Sequence, residues 1–379
     1  MNRGVVAVVV CTRPEVIKLA PLVLALRQSS ELAPVVISTG QHRTMLDQAL
    51  EVFGIAPDID LGLMAPGQTL EELTARALVK MKAALAEVTP SWVVVQGDTT
   101  TALAAAMASF YARVPVAHVE AGLRSGDLSS PFPEEMNRRV IDQMCDLLLA
   151  PTAGAAEHLL GEGFAAARIH VTGNTVVDAL LAVRERIRLR PVAIPGLSEA
   201  KAAGKRIVLV TAHRRESFGA PLLDMLKAIR QIARDNPDVL VVYPVHLNPN
   251  VDGPARAILG KEDRVALLPP LDYLEFVALL ERAHLVLSDS GGVQEEAPTF
   301  GVPILVMRDN TERPEGIAAG VARLVGTSGA SIVREANRLL GDPAAHRQMA
   351  SAVNPYGDGQ AARRIVRLLA PRPKAAQAA

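Results

Sequence analysis

The sequence predicts an α/β fold made of two doubly wound parallel-sheet domains. Three observations predict it: short continuous Val/Ile/Leu runs, helical spacing between those runs, and a length of 379 residues. Continuous apolar runs are typical of strands that are buried on both faces, as in parallel sheets covered by helices. At about 100–200 residues per domain, the length corresponds to two domains, each with its own core.

The predicted strands follow one another along both halves of the chain. In the first half they are VVAVVV, APVVIS, SWVVVQ, VPVAHV and LLLAP, and in the second RIVLVT, VLVVYP, RVALLP, LVLSDS and VPILVM. Segments 69–87 and 219–234 carry helical spacing between strands, and Pro14 suits the first turn of a helix. This alternation favours parallel sheets with helical crossovers.

The alternation stops at 189–204, where two prolines and two glycines interrupt any periodic pattern. Such a composition is typical of a linker between domains. The sequence therefore predicts a first domain at 1–188, a linker at 189–204, a second domain at 205–357, a C-terminal helix at 358–370 and a disordered tail at 371–379.

The composition excludes several classes of partner. Lys and Arg together number 40 and balance 40 Asp and Glu, so no net charge attracts nucleic acid or a membrane surface. The two cysteines suit a reducing cytoplasm, and no cluster of His, Cys and Asp has the spacing of a metal site. The N-terminal apolar run is too short to cross a membrane and lacks the plan of a signal peptide. We therefore expect a cytoplasmic protein without a bound metal.

The stretch DSGGVQEE combines bare backbone with carboxylates at the end of a predicted strand. Ser290, Gly291 and Gly292 fall at a helix start, where unpaired N–H groups and the helix dipole attract anions. Glu296 lies one turn further on the same face, where its carboxylate can accept hydrogen bonds from two ribose hydroxyls. The pattern predicts a nucleotide site; the alternative is a tight turn followed by solvated acids.

The stretch TAHRRESFG places His213 beside Arg214 and a second arginine after a predicted strand. Neighbouring arginines favour the neutral imidazole, unless a phosphate restores the balance of charge. This arrangement predicts binding of a diphosphate or protonation of a departing one, although a lone histidine is usually structural. Arg13, Lys18 and Arg313 can add positive charge from other loops, but each alone is more often a surface residue.

Three acids of the first half lie at predicted strand ends or helix starts: Asp98, Glu120 and Glu134. Together they predict acid/base groups, while the second half is predicted to hold a nucleotide. Taken singly, each acid has a simpler explanation, such as Glu134 complementing the dipole of a helix that begins after Pro133. The sequence contains neither a P-loop nor a GxGxxG fingerprint, which argues against kinase and nicotinamide chemistry, and no cofactor is predicted.

Several motifs together resemble one enzyme family, the non-hydrolysing UDP-N-acetylglucosamine 2-epimerases, over about residues 5 to 360. They are TRPEVIKLAPL, TGQHRTML, GDTTT, HVEAGLRSGD, PFPEEMNRR, VTGNTVVDAL, TAHRRESFG, YPVHLNPNV and DSGGVQEEAPTFGVPILVMRDNTERPE. The resemblance implies a GT-B fold, in which two Rossmann-like domains face a central cleft. It also implies a C-terminal helix that crosses back to the first domain, and a homodimer.

The resemblance assigns roles to particular residues. The implied catalytic residues are Asp98, Glu120, Glu134 and His213. The implied UDP contacts are Arg13, Lys18, Phe276, Ser290, Gly291, Gly292, Glu296 and Arg313.

The implied reaction is reversible C2 epimerisation of UDP-N-acetylglucosamine to UDP-N-acetylmannosamine, without a cofactor. UDP would be eliminated and added again through a 2-acetamidoglucal intermediate, with the product supplying surface polysaccharide synthesis. More than one carboxylate is expected because protons leave and return on opposite faces of C2. The sequence leaves open which acid acts on which face.

Three other functions compete with this interpretation. A GT-B glycosyltransferase would share the nucleotide site but needs an acceptor cleft, for which 3% aromatic residues offer little. An epimerase for a diacetamido uronic acid nucleotide would need an additional cation for the C6 carboxylate. A non-catalytic UDP-sugar sensor would have no use for three acids beside the diphosphate.

Overall fold

The computed structural model describes residues 3–40, 43–65 and 67–370, without the side chains of 43–45. The predicted tail at 371–379 lies outside these described residues. They divide into two compact units. The first unit contains the described residues up to Ala179 and those from Tyr356 onward, and the second contains 180–355.

The first unit is built on one parallel sheet. Its strands within the described residues are β1 (Gly4–Val10), β2 (Leu32–Ser38), β3 (Ile59–Asp60), β4 (Trp92–Gln96), β5 (Val116–Val119), β6 (Leu147–Ala150) and β7 (Ile169–Val171). They are ordered β3-β2-β1-β4-β5-β6-β7. Two apolar clusters cover the two faces of this sheet, as expected for strands with continuous Val and Leu runs.

Helices connect these strands. In this part of the chain they are α1 (Arg13–Gln28), α2 (Arg43–Val52), α3 (Leu70–Val88), α4 (Thr100–Tyr111), α5 (Glu134–Met144), α6 (Ala153–Gly161) and α7 (Thr175–Leu189). Helix α3 begins at a capping box in which Thr69 and Glu72 bond to each other's backbone N–H. Pro14 lies in the first turn of α1, as predicted.

The second unit has its own parallel sheet. The described strands are β8 (Arg206–Thr211), β9 (Val239–Pro244), β10 (Val265–Leu268), β11 (Ala283–Ser288), β12 (Ile304–Val306) and β13 (Ala322–Leu324), in the order β10-β9-β8-β11-β12-β13. The helices are α8 (Glu199–Ala202), α9 (Ala220–Asp235), α10 (Pro249–Leu259), α11 (Tyr273–Arg282), α12 (Gly291–Glu296), α13 (Pro314–Ala318), α14 (Gly329–Gly341) and α15 (Pro343–Ala350).

The predicted fold class of two Rossmann-like, doubly wound parallel-sheet domains is confirmed. Every apolar run named above contains a strand, and the predicted helices at 69–87 and 219–234 correspond to α3 and α9. Sequence reasoning missed β3, β7 and β13. These strands are two or three residues long and lie at sheet edges, where burial on a single side leaves little apolar pattern.

The segment predicted as a linker, 189–204, lies within the second unit. Ile194, Leu197 and Ala202 are buried in its core beside Leu268. These apolar residues were too widely spaced to give a periodic pattern, yet they bind the segment to the sheet. The chain passes between the units inside α7 and again at Pro355.

The C-terminal helix α16 (Ala361–Leu369) packs on α1 in the first unit. Ala362, Ile365 and Leu369 are buried in the cluster that covers this face of the sheet. Asp178 accepts a hydrogen bond from the backbone N–H of Ala362 at 2.9 Å and so fixes the helix start. None of the helices in the described ranges is long and apolar enough to span a membrane.

Candidate active site

The acids predicted for acid/base chemistry lie at the carboxyl edge of the first sheet. Asp98 follows β4, Glu120 follows the neighbouring strand β5, and Glu134 is the first residue of α5. We call these three side chains the carboxylate cluster. Ligands of open parallel sheets bind beyond the carboxyl ends of the strands, so the cluster lies where a substrate is expected.

Glu120 is both buried and conformationally strained. It is 8% exposed, and its φ of 71° falls in the left-handed region that non-glycine residues rarely adopt. Its Oε1 accepts a hydrogen bond from Lys18 Nζ at 2.5 Å, and its Oε2 accepts one from Gln96 Nε2. Lys18, a predicted diphosphate contact, is therefore already paired with an acid of its own unit.

Asp98 is attached to the first turns of α5. Its backbone carbonyl accepts a hydrogen bond from Asn137 Nδ2 at 2.8 Å, and its carboxylate pairs with Arg138. Arg138 lies four residues after Glu134, on the same face of the helix. Helix α5 therefore joins two members of the carboxylate cluster.

A buried histidine supports the loop that carries Asp98. His118 bonds to the Gly97 carbonyl through Nε2 at 2.8 Å and to Asp142 Oδ1 through Nδ1 at 2.6 Å. Burial alone would raise the pKa of Asp142, but His118 and Arg124 outweigh it and lower that pKa, so the carboxylate is ionised. The ring therefore connects the loop after β4 to α5 through its two nitrogens.

The start of α1 carries a predicted ligand contact beside a buried acid. Arg13 is exposed at the first position of the helix. Glu15 is 4% exposed, and its Oε2 accepts hydrogen bonds from the backbone N–H of Cys11 at 2.6 Å and of Thr12 at 3.3 Å. Burial raises the pKa of Glu15 to about 7. The loop after β1 is therefore closed by a carboxyl group that titrates near neutrality.

The predicted anion turn begins α12 at the carboxyl edge of the second sheet. Ser290 is the N-cap, and Gly291 and Gly292 are the first helical residues. Ser288 Oγ accepts a hydrogen bond from the Ser290 backbone N–H at 2.9 Å and so shapes the turn. A Cβ at Gly291 would lie 3.4 Å from Arg214 Nη2, so the guanidinium group lies close to the first turn of α12.

His213 and Arg214 are held by an acid that follows β11. Asp289 is fully buried, and its Oδ2 accepts hydrogen bonds from the backbone N–H of both His213 and Arg214 at 2.8 Å. The His213 ring also stacks on His246, with centroids 5.4 Å apart. The loops after β8, β9 and β11 therefore meet at His213.

The protonation of His213 is set by burial and three neighbours. Burial lowers the pKa of His213, Asp289 raises it, and His246 and Arg214 lower it, with a lowered pKa as the result. Sequence reasoning also favoured the neutral imidazole but attributed it to the arginines. Burial is the larger cause, and it could not be inferred from sequence because it depends on how three loops pack.

The remaining predicted UDP contacts lie on α11, on α12 and before α13. Glu296 is half-buried on α12, and its neighbour Glu295 is buried and pairs with Arg313. This pair connects α12 to the loop that leads into α13. Phe276 on α11 is partly buried and packs against the apolar core of the second unit.

Comparison with known proteins decides the family. The family model described as UDP-N-acetylglucosamine 2-epimerase matches residues 24–370. The chain belongs to this family. The UDP-N-acetylglucosamine 2-epimerase of Yersinia pestis is 51% identical over 361 residues, which are 94% of this chain and 96% of that protein. The one of Bacillus subtilis (strain 168) is 48% identical over 366 residues, 97% of this chain and 95% of that protein.

A solved structure supports the same membership in the UDP-N-acetylglucosamine 2-epimerase family. The enzyme of Neisseria meningitidis bound to UDP-GlcNAc matches with a TM-score of 0.86 and 42% identity, covering 96% of this chain and 99% of that chain. The predicted family and enzyme class, an isomerase, are confirmed.

Sequence reasoning missed several residues that support this candidate site: His118, Arg138, Asp142 and Asp289. Two of them had a signal, because His118 interrupts an apolar strand and Asp289 directly follows one, and buried polar groups in such places need partners. Arg138 and Asp142 had none, since their partners lie 40 and 24 residues away along the chain.

Proposed function

We propose that the protein reversibly inverts C2 of UDP-N-acetylglucosamine to give UDP-N-acetylmannosamine. Family membership and the relative bound to UDP-GlcNAc support the substrate. The carboxylate cluster supplies the acid/base groups, and the second unit binds UDP. The proposal needs no metal, and the described residues include no cluster of His, Cys, Asp or Glu suited to hold one.

The chemistry is an elimination followed by a re-addition. The C2 proton is not acidic in the intact sugar, because no carbonyl adjoins that carbon. A carboxylate takes this proton while the C1–O bond breaks, so UDP leaves with its electron pair and a C1=C2 double bond forms. UDP then adds to C1 of the 2-acetamidoglucal while a proton reaches the other face of C2. Cations stabilise the charge on departing UDP.

Each candidate residue has a role in this proposal. Asp98, Glu120 and Glu134 move protons at C2, and more than one is needed because the two faces differ. The diphosphate is bound by Arg13, Lys18, His213, Arg313 and the turn of Ser290, Gly291 and Gly292, while Glu296 takes the ribose hydroxyls and Phe276 contacts the nucleotide.

The observation that carries the proposal is the environment of Glu120. A buried carboxylate with a left-handed backbone is held between Lys18 and Gln96 at the end of a strand. Strained backbone of this kind persists where a fixed side-chain position has a function, and this position is suited to proton transfer.

The proposal is tested by incubating the purified protein with UDP-N-acetylglucosamine in heavy water and following proton NMR. The expected outcome is formation of the manno epimer without NAD or added metal, with deuterium entering C2 of both sugars. Epimerisation with full retention of the C2 hydrogen would exclude elimination. Transfer of the sugar to an acceptor would favour a glycosyltransferase, and binding without reaction would favour a sensor.

We further propose a homodimer that uses an apolar groove between α3 and α4. The groove has a volume of about 600 Å³, and Val79, Phe110 and Tyr111 are exposed in or beside it. Apolar surface of this kind is typical of protein–protein contacts. Light scattering should give twice the chain mass for the native protein and the single mass for Tyr111→Asp; a native monomer would exclude the dimer.

The proposed location is the cytoplasm, supported by Cys11 and Cys145, which are buried free thiols that suit a reducing compartment. The proposed role is to supply N-acetylmannosamine for surface polysaccharides. Loss of that sugar from the surface of a deletion strain, restored by the gene, tests this role.

A further inference from the structure

Asp289 has one carboxylate oxygen in use and one without a donor. Its Oδ2 accepts the two backbone N–H bonds of His213 and Arg214. Its Oδ1 is buried and accepts no hydrogen bond from any described residue. Buried polar oxygens rarely lack a partner, so an unpaired one beside a candidate active site indicates a donor that pairs with it during function.

The nearest candidate donor is the ring of His213, whose Nδ1 lies 3.7 Å from Asp289 Oδ1. The carboxylate is fixed by its two backbone donors, whereas the His213 side chain is 40% exposed and has room to move. A shift of less than about 1 Å by the ring brings Nδ1 to hydrogen-bond distance.

The other groups that face His213 do not compete for this contact. His246 stacks on the ring, and its own Nδ1 accepts a hydrogen bond from the Asn248 backbone N–H at 3.1 Å. His246 and Arg214 both oppose protonation of His213. Asp289 is therefore the group that favours an imidazolium.

We propose that Asp289 is the positioning residue of His213: its Oδ1 accepts the Nδ1–H of protonated His213 and so directs Nε2–H toward the diphosphate. This inference rests on the proposed function, because the diphosphate belongs to the UDP-sugar. The anionic diphosphate adds negative charge to the other side of the ring and offsets the burial that lowers the pKa. The imidazolium then stabilises departing UDP without giving up its proton.

The test is an NMR titration of His213, whose ring resonance is identified among eight histidines by its loss in His213→Gln. Asp289→Asn keeps an acceptor for the two backbone donors but removes the charge. We expect the His213 midpoint to fall by about one unit or more. The matched control is Tyr243→Phe, which removes a buried 2.6 Å hydrogen bond to Ala212 in the same loop without changing any charge. An unchanged His213 midpoint in folded Asp289→Asn would overturn the proposal.

Turnover measurements give a second test of the proposed role of Asp289. Asp289→Asn should lower kcat by about 10- to 100-fold, as expected when a functional group loses its orienting partner. In the His213→Gln background the same substitution should have little further effect. An equal loss in both backgrounds would show that Asp289 serves the fold alone.

If Asp289→Asn does not fold, an NMR measurement on the native protein still tests the proposal. Saturation with UDP should produce an exchange-protected, downfield Nδ1 proton on His213, and its absence in the UDP complex would contradict the proposal. Both NMR measurements proceed without turnover, so failure of this inference is distinguishable from failure to epimerise.

Discussion

The two units use the same edge of their sheets with opposite charge. In the first unit the predicted reacting groups are acids, and cations support two of them: Lys18 pairs with Glu120 and Arg138 with Asp98. In the second unit the predicted diphosphate contacts include His213 and Arg313, which are held by the acids Asp289 and Glu295. The comparison teaches that the loops determine what a site does, while the shared parallel sheet determines where the site lies.

The paired side chains of the two units include deep and shallow examples. In the first unit, the side chains of His118 and Asp142 are both 0% exposed. In the second unit, Arg308 is buried but its partners Glu216 and Glu312 are 52% and 43% exposed. Water therefore does not reach the His118–Asp142 pair, whereas it screens the pairs of Arg308.

The largest expected effect tests the division between chemistry and binding. Glu134→Gln removes a proton-transferring group and should lower turnover by about 10²–10⁴-fold. UDP affinity, measured by calorimetry, should stay nearly intact, because the proposal places Glu134 at C2 of the sugar and not among the groups that bind UDP. Glu157→Gln is a control that changes an exposed acid of the same unit. Weaker UDP binding with normal turnover would place Glu134 among the binding groups.

The second prediction tests the difference in depth. Asp142→Asn removes the buried carboxylate that pairs with Arg124 and bonds to His118, and it should reduce the free energy of unfolding by about 3–5 kcal/mol. Glu216→Gln removes a half-exposed partner of Arg308 and should cost less than about 1 kcal/mol. Urea titration of both variants measures the two losses of unfolding free energy. Equal losses would show that depth does not distinguish the two pairs.

The sequence predicts the two sheets better than it predicts the candidate site. Apolar runs predicted the two sheets, because burial on both faces leaves a strong local pattern. The sequence also placed Asp98, Glu120 and Glu134 at strand ends or helix starts. It did not predict the supports, because the pairing of His118 with Asp142 depends on the packing of β5 against α5.

The third prediction concerns pH. Burial raises the pKa of Glu15 from 4.5 to about 7, so the native state holds this proton more tightly than the unfolded chain. Stability is therefore greatest below about pH 4.5 for this group and falls as pH rises to 7, by on the order of 3 kcal/mol. Glu15→Gln should remove this downward contribution, so its unfolding free energy should fall less with rising pH between these values than that of the native protein in urea titrations. A slope equal to that of the native protein would assign the pH dependence to other groups.

The fourth prediction concerns a histidine of the second unit, which changes stability with pH in the opposite direction. Burial, followed by His346 and Arg206, lowers the pKa of His284 from 6.5 to about 4. The native state therefore binds this proton less tightly than the unfolded chain, and stability falls as pH decreases from 6.5 to 4. His284→Gln should remove this upward contribution with rising pH and leave the contribution of Glu15 unchanged. If the changes caused by Glu15→Gln and His284→Gln do not add in the double variant, the two groups titrate together.

The smallest expected effect concerns nucleotide binding by the second unit. Glu296 lies one turn into α12, where its carboxylate is proposed to accept two ribose hydroxyls. Glu296→Ala removes both acceptors and should weaken UDP binding by about 1–3 kcal/mol, the range for hydrogen bonds to a charged group. Glu296→Gln keeps one carbonyl acceptor and should lose less. Because the ribose contact is the same before and during elimination, turnover at saturating substrate should change little in either variant. Normal UDP affinity combined with lost turnover in Glu296→Ala would move this acid to the reacting groups and end the contrast between the units.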